Sequence, residues 1–330
     1  MLFATKGLNP NKNYYFSRLS DAQKEIYNSI LSGLMTFATK IKVSPKPINE
    51  ITMIYEFVLL DNPLIFFTKI FKISTDLSSK KRLLCPVYTM DKKKAKEYLL
   101  QVNRYFSIFD SAKNKSSIEK VYFVHDFCLG NFSYDNSFHD YSFSVLGPVL
   151  HKTAVCEGIA RFVKLSFDYL GVKSLVVTGT AASPEANSKY EPHAWNIIKI
   201  GKDTFHLDVT FDMTISQNRY RYDYLNLCDE DIKKDHCITG NVPLCAVTGK
   251  DYFTSNSLIA GSYKKLADIV AAKVKKGEKN IFVKLTNVED PDTVIDKVMD
   301  IAKANICKGV SYATVNYNLC QCVFEIEFKG

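Results

Sequence analysis

The chain has 330 residues, of which 46% are hydrophobic and 24% charged, and its formal net charge is +8. The length suggests about two domains with a sizeable core, and the composition excludes low-complexity and repeat architectures. The excess positive charge falls largely in short runs such as Lys80-Lys81-Arg82 and Lys92-Lys93-Lys94. No stripe of basic and aromatic residues accompanies these runs, so we interpret them as solvated faces and expect no nucleic-acid partner.

The N-terminal sequence MLFATKGLNPNKNYYF has no apolar h-region and no small-residue cleavage site, so no signal peptide is predicted. No stretch approaches about 18 consecutive apolar residues, so no membrane span is predicted. The nine cysteines are odd in number and include no C-x-x-C pair. This pattern indicates a reducing compartment, without a disulfide framework or a metal site. We therefore expect a cytoplasmic protein, with export left open if a leader has been removed.

Apolar residues at helical spacing predict a mainly helical N-terminal region over residues 1–115. Ser20 or Asp21 is the predicted N-cap of its first helix, and Ser116 or Ser117 caps the helix that follows the region. The predicted helices are 20–41, 48–61, 90–108 and 116–131, with a strand-like stretch over 63–90.

A further helix is predicted to begin at about Ala154–Val155, immediately before Cys156. Gly171 stands where a left-handed C-cap would end it. One face of this helix carries the predicted buried residues Ile159, Phe162, Val163, Ser166 and Leu170. A strand is predicted over 174–180 and a surface loop over 181–192.

Two strands, 193–200 and 204–211, are predicted to form a hairpin about Gly201. A short helix is predicted over 229–236. These elements complete a predicted core domain over 116–254. The remaining pattern predicts a small α+β domain over 255–330, whose elements are a helix at 258–276, a strand at 280–286, a helix at 291–305 and strands at 310–317 and 320–328.

Cys156 is a candidate nucleophile because the free N–H groups at a helix start favour a thiolate. The backbone N–H of Cys156 is also a candidate donor to an oxyanion. Considered alone, a cysteine at a helix start is more often structural, so this position needs a second observation.

The predicted hairpin supplies that observation. A two- or four-residue loop about Gly201 would place His193 and Asp208 on the same face, directly opposed or one diagonal apart. A register slip of one residue would send them to opposite faces. On one face, Asp208 could accept from one imidazole nitrogen of His193 while the other nitrogen serves a nucleophile.

Three segments around these residues resemble the transglutaminase-like superfamily, and more narrowly its bacterial branch. They are AVCEGIARFVKLSFDYLGVKSLVVTGTA, HAWNIIKIGKDTFHLDVTFD and the earlier VHDF…YD at 124–135. The match covers about 116–212, with weaker similarity through 222–236. Two positions depart from the family pattern, Ile159 in place of an aromatic residue and Phe211 in place of tryptophan.

The resemblance implies an α+β fold with a papain-like, transglutaminase-like core, in which a helix bearing the cysteine packs on an antiparallel sheet bearing the histidine and the aspartate. It implies a triad of Cys156, His193 and Asp208. By analogy, Cys156 attacks an amide or acyl carbonyl, His193 accepts and returns the proton, and Asp208 fixes the imidazole. Animal members depend on calcium, but this sequence has no calcium-binding loop, so no cofactor is expected.

Neighbouring residues have alternative interpretations. Trp195 lies two positions beyond His193 and is either a substrate-binding wall beside the imidazole or a core aromatic residue. His206 is interpreted as a hydrogen-bonded structural histidine, and Asn196 as a side chain that satisfies local backbone groups. Glu157, in the first helical turn, is interpreted as complementing the helix dipole.

His125, Asp126 and Cys128 form a rival cluster. We consider it less favoured because His125 falls on the apolar stripe of its helix while the other two side chains point elsewhere.

The leading hypothesis is cysteine-dependent acyl transfer on amide bonds of a protein or peptide substrate. The acyl group would pass to an amine, as in a transglutaminase, or to water, as in a peptidase or amidase. The alternative is a non-catalytic protein-binding scaffold that retains the fold. A third possibility, transfer from a small thioester as in arylamine acetyltransferases, is disfavoured because HKTAV replaces the Arg-Gly-Gly lead-in of that family.

Overall fold

A computed structural model describes residues 13–76, 78, 81–182, 189–216, 220–287, 291–306 and 309–330, with the backbone alone for 291 and 292. Residues 1–12, on which the prediction of no signal peptide mainly depends, lie outside the described residues, as do residues 183–188 of the predicted loop 181–192. The loop prediction is wrong at both ends, because 181–182 and 190–192 belong to strands. The chain divides into two compact units, the first comprising Met1–Val177 and Ala194–Gly201 and the second Thr178–His193 and Lys202–Gly330.

The first unit combines helices with two small sheets. Strands β1, β2 and β3 form an antiparallel sheet in the order β1-β3-β2, and β4 pairs with β5 in parallel. The elements are α1 (Tyr14–Ser17), α2 (Asp21–Thr36), β1 (Ile41–Val43), α3 (Ile48–Asp61), β2 (Thr68–Thr75), β3 (Arg82–Tyr88), α4 (Lys92–Tyr105), α5 (Ser117–Asn131), β4 (Ser133–Tyr134), β5 (Thr153–Ala154) and α6 (Cys156–Leu170), with 3₁₀ helices at Phe106–Ala112 and Asp140–Phe143 and a π-helical turn at Gly147–His151.

The predicted N-caps of α2 and α5 are confirmed. Ser20 and Ser116 each form a capping box. The serine side chain accepts a hydrogen bond from the backbone N–H of the third helical residue, and the side chain of that residue accepts one from the backbone N–H of the serine. The prediction that the first helix extends to residue 41 is wrong. Phe37 has a left-handed backbone (φ 61°) that ends α2 at Thr36, and the chain then enters β1.

A five-stranded sheet has the order β10-β6-β7-β8-β9. Its strands are β6 (Ser174–Ala182), β7 (Tyr190–Ile200), β8 (Asp203–Leu207), β9 (Leu225–Leu227) and β10 (His236–Ile238). The connection between β7 and β8 is Gly201 and Lys202, and the positive φ of Gly201 (62°) suits a two-residue hairpin turn.

Further helices and a second sheet lie in the second unit. A four-stranded sheet in the order β11-β12-β14-β13 packs its apolar face against two helices around Val283, Val298 and Phe324. The elements are α7 (Val209–Ile215), α8 (Asp229–Ile232), α9 (Tyr252–Ser255), β11 (Ile259–Ala260), α10 (Tyr263–Lys275), β12 (Asn280–Leu285), α11 (Pro291–Ala304), β13 (Tyr312–Asn318) and β14 (Val323–Lys329).

Three boundary predictions in the second unit are wrong. The strand predicted to reach residue 211 ends at Leu207, because the Asp208 side chain caps a helix at its N-terminus. The helix predicted over 229–236 ends at Ile232, so that His236 begins a strand. The helix predicted from 258 begins only after Ser262, whose side chain accepts from Lys265 N, and residues 259 and 260 form β11.

The mixture of helix and sheet confirms the predicted α+β class. Among the described residues, no helix combines the length and apolar character that crossing a membrane requires.

Candidate active site

Cys156 is the first residue of α6 and is half-buried. Val155 is the N-cap with an extended backbone, and Gly171 ends the helix in a left-handed conformation (φ 75°), as predicted. The predicted buried face is confirmed, and at its centre Phe162 lies in an aromatic cluster with Phe106 and Phe132. This packing fixes the helix that presents Cys156.

The third residue of α6 must be glycine for a steric reason. A Cβ atom on Gly158 would lie 2.1 Å from the carbonyl oxygen of Ser142. The same oxygen accepts a hydrogen bond from the N–H of Val155 at 3.1 Å. The Ser142 hydroxyl in turn donates to buried Asp135, which also accepts from the N–H of His139. The glycine of the Cys-Glu-Gly segment therefore allows the backbone contact that holds the residue before Cys156.

Glu157 and Asn196 both have structural partners. Arg161 donates to Glu157 Oε1 from Nε (2.9 Å) and Nη2 (2.7 Å), while its Nη1 donates to the carbonyl of Leu59. Asn196 Nδ2 donates to the carbonyls of Ala160 and Leu175 at 3.0 and 3.2 Å. The predicted role of Asn196, satisfying backbone groups, is confirmed.

The structure brings His193 and Asp208 together in the second unit. His193 Nε2 lies 2.6 Å from Asp208 Oδ2, and because a carboxylate only accepts, the imidazole donates. The other carboxylate oxygen of Asp208 accepts from the N–H of Phe211 at 3.0 Å. The Asp208 side chain is 1% exposed and that of His193 is 8% exposed. Asp208 is thus a buried acceptor whose orientation is fixed by the helix that it caps.

A second histidine, which the sequence reasoning missed, shares this carboxylate. His236 Nε2 lies 3.0 Å from Asp208 Oδ2, and His236 Nδ1 lies 2.5 Å from Asp235 Oδ1. Asp235 Oδ2 accepts from the hydroxyl of Tyr224 at 2.7 Å and from Nε2 of Gln321 at 3.2 Å. The site is therefore a continuous buried network from His193 to the turn that precedes β14.

Burial and charge act in opposite directions on these groups. Burial alone would raise the pKa of Asp208, but attraction to His193 and hydrogen bonds from His193 and His236 outweigh it, so that pKa lies well below its usual range. Burial alone would lower the pKa of His236, but its hydrogen bonds to Asp208 and Asp235 and the charges of both carboxylates raise it. The network therefore favours an ionised Asp208 beside a protonated His236.

Among the residues that the structure describes, two groups of side chains have donor atoms close enough to hold a metal ion. In the first, His193, Asp208 and His236, the donor atoms lie within 4.8 Å of one another. Their separations of 2.6 and 3.0 Å are hydrogen-bond lengths, so the carboxylate serves here as a shared acceptor.

The second group is His206, Asp229 and Cys245. His206 Nε2 lies 2.8 Å from Asp229 Oδ1, and Asp229 Oδ2 accepts from the N–H of Cys245 at 3.1 Å. Burial lowers the pKa of His206 to about 4, despite the hydrogen bond and the charge of Asp229. The prediction of a hydrogen-bonded structural histidine is confirmed, with Asp229 as its partner.

The remaining predicted residues lie in the first unit. Trp195 is 1% exposed. In the rival cluster, His125 is completely buried and its Nδ1 lies 3.0 Å from Asp126 Oδ1, while burial raises the pKa of Cys128. A buried thiol held in its neutral form is a poor nucleophile, which disfavours this cluster.

No protein-family model matches the chain, and no curated protein matches its sequence. Among solved structures, the chain is similar to a transglutaminase with 15% identity and a TM-score of 0.29, over 43% of this chain and 44% of that one. It is also similar to a candidate cysteine protease from Cytophaga hutchinsonii with 12% identity and a TM-score of 0.26, over 43% of this chain and 61% of that one. Each match spans less than two thirds of the other protein, and TM-scores at this level establish no shared activity.

Proposed function

We propose that this chain is a cysteine-dependent acyl-transfer enzyme that acts on amide bonds of a protein or peptide. Cys156 is the proposed nucleophile, His193 the general base and acid, and Asp208 the residue that orients His193. The observation that supports this most strongly is the hydrogen bond of 2.6 Å from His193 Nε2 to buried Asp208. A histidine held in this way by a buried carboxylate is what activation of a nucleophile requires.

The hydrogen bond determines which imidazole nitrogen does the chemistry. Since Asp208 accepts a hydrogen bond from Nε2 of His193, a neutral His193 carries its proton on Nε2 and has its lone pair on Nδ1. Nδ1 would accept the thiol proton as the sulfur of Cys156 attacks the carbonyl carbon. The protonated Nδ1 would then return the proton to the departing amine as the C–N bond breaks, leaving a thioester.

Attack by water or by a second amine completes the reaction. His193 Nδ1 takes a proton from the incoming nucleophile, the C–S bond breaks, and the proton passes to the thiolate of Cys156. The negative charge on the carbonyl oxygen would be met by the backbone N–H of Cys156 at the N-terminus of α6. We retain Trp195 as the proposed substrate-binding residue. Because only 1% of Trp195 is exposed, it would define the shape of the site by packing and would offer little surface to the substrate.

The test is covalent trapping of the acyl-enzyme. We expect incubation with a mixture of peptides to give a thioester adduct on Cys156, detected by mass spectrometry after acid quench, and no adduct at that position in Cys156→Ala. Cys85→Ala is the matched control, since Cys85 is also half-buried but lies in β3. It should retain full adduct formation.

Adding a primary amine separates the two acyl acceptors. Cross-linked product would indicate transamidation, and cleaved or deamidated product would indicate hydrolysis. If no adduct forms on Cys156 with any peptide, with or without the amine, the enzyme proposal is contradicted. The protein-binding scaffold would then be favoured, and protein binding should be the same in Cys156→Ala.

A further inference from the structure

Each ring nitrogen of His236 lies within hydrogen-bond distance of a carboxylate oxygen. Nε2 faces Asp208 Oδ2 and Nδ1 faces Asp235 Oδ1. Ionised carboxylates only accept hydrogen bonds, so both nitrogens must donate, and a neutral imidazole has only one N–H. With both carboxylates ionised, the geometry therefore favours an imidazolium at His236.

The imidazolium of His236 is held in place on the side of Asp235. The carboxylate of Asp235 is held by the hydroxyl of Tyr224 and by Gln321, whose Nε2 also donates to the carbonyl of Asp231 at 3.1 Å. Gln321, His236 and Asp235 are all at most 1% exposed. His236 cannot turn away from Asp208 without leaving these buried groups unpaired.

The ionisable groups that face His236 come from several elements. Among the described residues they include Asp208 at the start of α7, Asp235 before β10, His193 on β7, His206 on β8 and Tyr224 before β9. Apart from the two carboxylates, none of them carries a negative charge at neutral pH. The rings of His193 and His236 have centroids 5.4 Å apart.

An apolar ring lies against both imidazoles. The centroid of Phe211 is 4.8 Å from that of His193 and 4.7 Å from that of His236. Water is therefore excluded from one side of the pair, and the two imidazoles interact through a medium less polarisable than water.

We propose that His236 is a positioning residue with a fixed positive charge, which shares Asp208 with His193 and thereby lowers the pH at which His193 becomes available as a base. The consequence of this charge for catalysis rests on the proposed function. The effect of the His236 charge on the protonation of His193 does not depend on that proposal. Asp208 favours the protonated form of His193, and the positive charge of His236 opposes that effect. Without His236, the full charge of Asp208 would keep His193 protonated to higher pH.

The test is an NMR titration of isotope-labelled histidine side chains in a Cys156→Ala background, where no thiol at position 156 titrates together with the imidazole. We expect His236→Gln, which keeps a donor but removes the charge, to raise the titration midpoint of His193 by about one pH unit. His139→Gln is the control, because His139 is 52% exposed and pairs with Asp135. It should leave the midpoint of His193 unchanged.

An unchanged or lowered midpoint in His236→Gln would overturn the inference. A neutral His236 at pH 7 would also overturn it. The ¹⁵N chemical shifts of the His236 ring show its protonation state without any substitution at that position, so this measurement does not depend on whether His236→Gln folds. A stoichiometric metal ion that is retained by the unsubstituted protein and lost in His236→Gln would also overturn it, since His236 would then be a ligand.

Kinetics distinguish this inference from the proposed function. With Cys156 present, the acid limb of kcat/KM should move to higher pH in His236→Gln. A shifted His193 titration together with an unreactive Cys156 would uphold the role of His236 and contradict the acyl-transfer proposal. A reactive Cys156 together with an unchanged titration midpoint of His193 would support the acyl-transfer proposal and contradict the role of His236.

Discussion

Replacing Asp208 with alanine is expected to lower the free energy of unfolding by about 3–5 kcal/mol. The variant removes the one buried acceptor shared by His193 and His236, together with the cap for the N–H of Phe211. His236 would then be a buried cation that has lost one of its two carboxylate partners. Thermal and urea unfolding at pH 7 would measure the loss, and acyl-transfer activity should fall below detection.

Asp208→Asn is the conservative comparison. It keeps the size and one oxygen that can cap α7, so we expect a smaller loss of stability, about 1–3 kcal/mol. Its amide cannot hold His193 in the required tautomer, so we expect activity to fall at least about a hundredfold. Unimpaired activity in Asp208→Asn would contradict the orienting role of Asp208.

The stability difference between the unsubstituted protein and Asp208→Asn should depend on pH. The pKa of Asp208 is depressed in the fold, so its contribution is complete above the unfolded value of 3.8 and is lost as the pH falls below it. The pKa of His236 is raised, so its contribution is complete below the unfolded value of 6.5 and declines as the pH rises above that value. Unfolding midpoints measured between about pH 3 and 9 should therefore differ most between pH 4 and 6.5.

Gly158→Ala is the second substitution with a large expected effect. In an open helix this change would stabilise by about 1 kcal/mol, because alanine is the better helix former. Here the added methyl group would lie 2.1 Å from the Ser142 carbonyl, which belongs to the backbone and cannot rotate away. We expect a net destabilisation of about 1–3 kcal/mol or more and a displaced helix start, measured by the thermal midpoint and by the reactivity of Cys156.

Gly171→Ala, at the other end of α6, is the matched control. Apart from its two chain neighbours, none of the described residues would lie within 4 Å of a Cβ there, so the left-handed backbone (φ 75°) is what opposes the change. We expect a loss of about 1–2 kcal/mol with the reactivity of Cys156 retained. If Gly158→Ala were as stable and as reactive as the unsubstituted protein, the contact with Ser142 would not be what positions Cys156.

Local sequence signals predicted much of the fold because their causes are local. The serine caps of α2 and α5, the helix over 48–61 and the glycine that ends α6 all follow from residues within one or two helical turns. The proximity of His193 and Asp208 was also predictable, since a short turn at Gly201 brings the residue that follows β8 back towards the first half of β7.

Two features of the site were not predictable in this way. The sequence Val209-Thr210-Phe211 has strand propensity, and the cap formed by Asp208 overrides it, so α7 was missed. His236 reaches Asp208 only because β10 pairs with β6, where His236 lies opposite Ala181. No periodic pattern links residues so far apart along the chain, and the Asp235-His236 dipeptide was the only available signal.

The second histidine changes what the candidate site can do. With His193 and Asp208 alone, the carboxylate would favour the protonated imidazole with no opposing positive charge, so His193 would become a base only at higher pH. With His236 as a third charged group, the carboxylate is shared and the imidazole is released for proton transfer. Through Gln321, this arrangement also makes the C-terminal strands part of the support for the site.

The rate of alkylation of each cysteine by iodoacetamide at pH 7, resolved by mass spectrometry, tests the central claim most directly. We expect Cys156 to react at least about tenfold faster than the comparably buried Cys85, and to lose that advantage in His193→Ala. If Cys156 reacts no faster than Cys85, or if its rate is the same with and without His193, then Cys156 is not a nucleophile activated by His193 and the proposed mechanism is wrong.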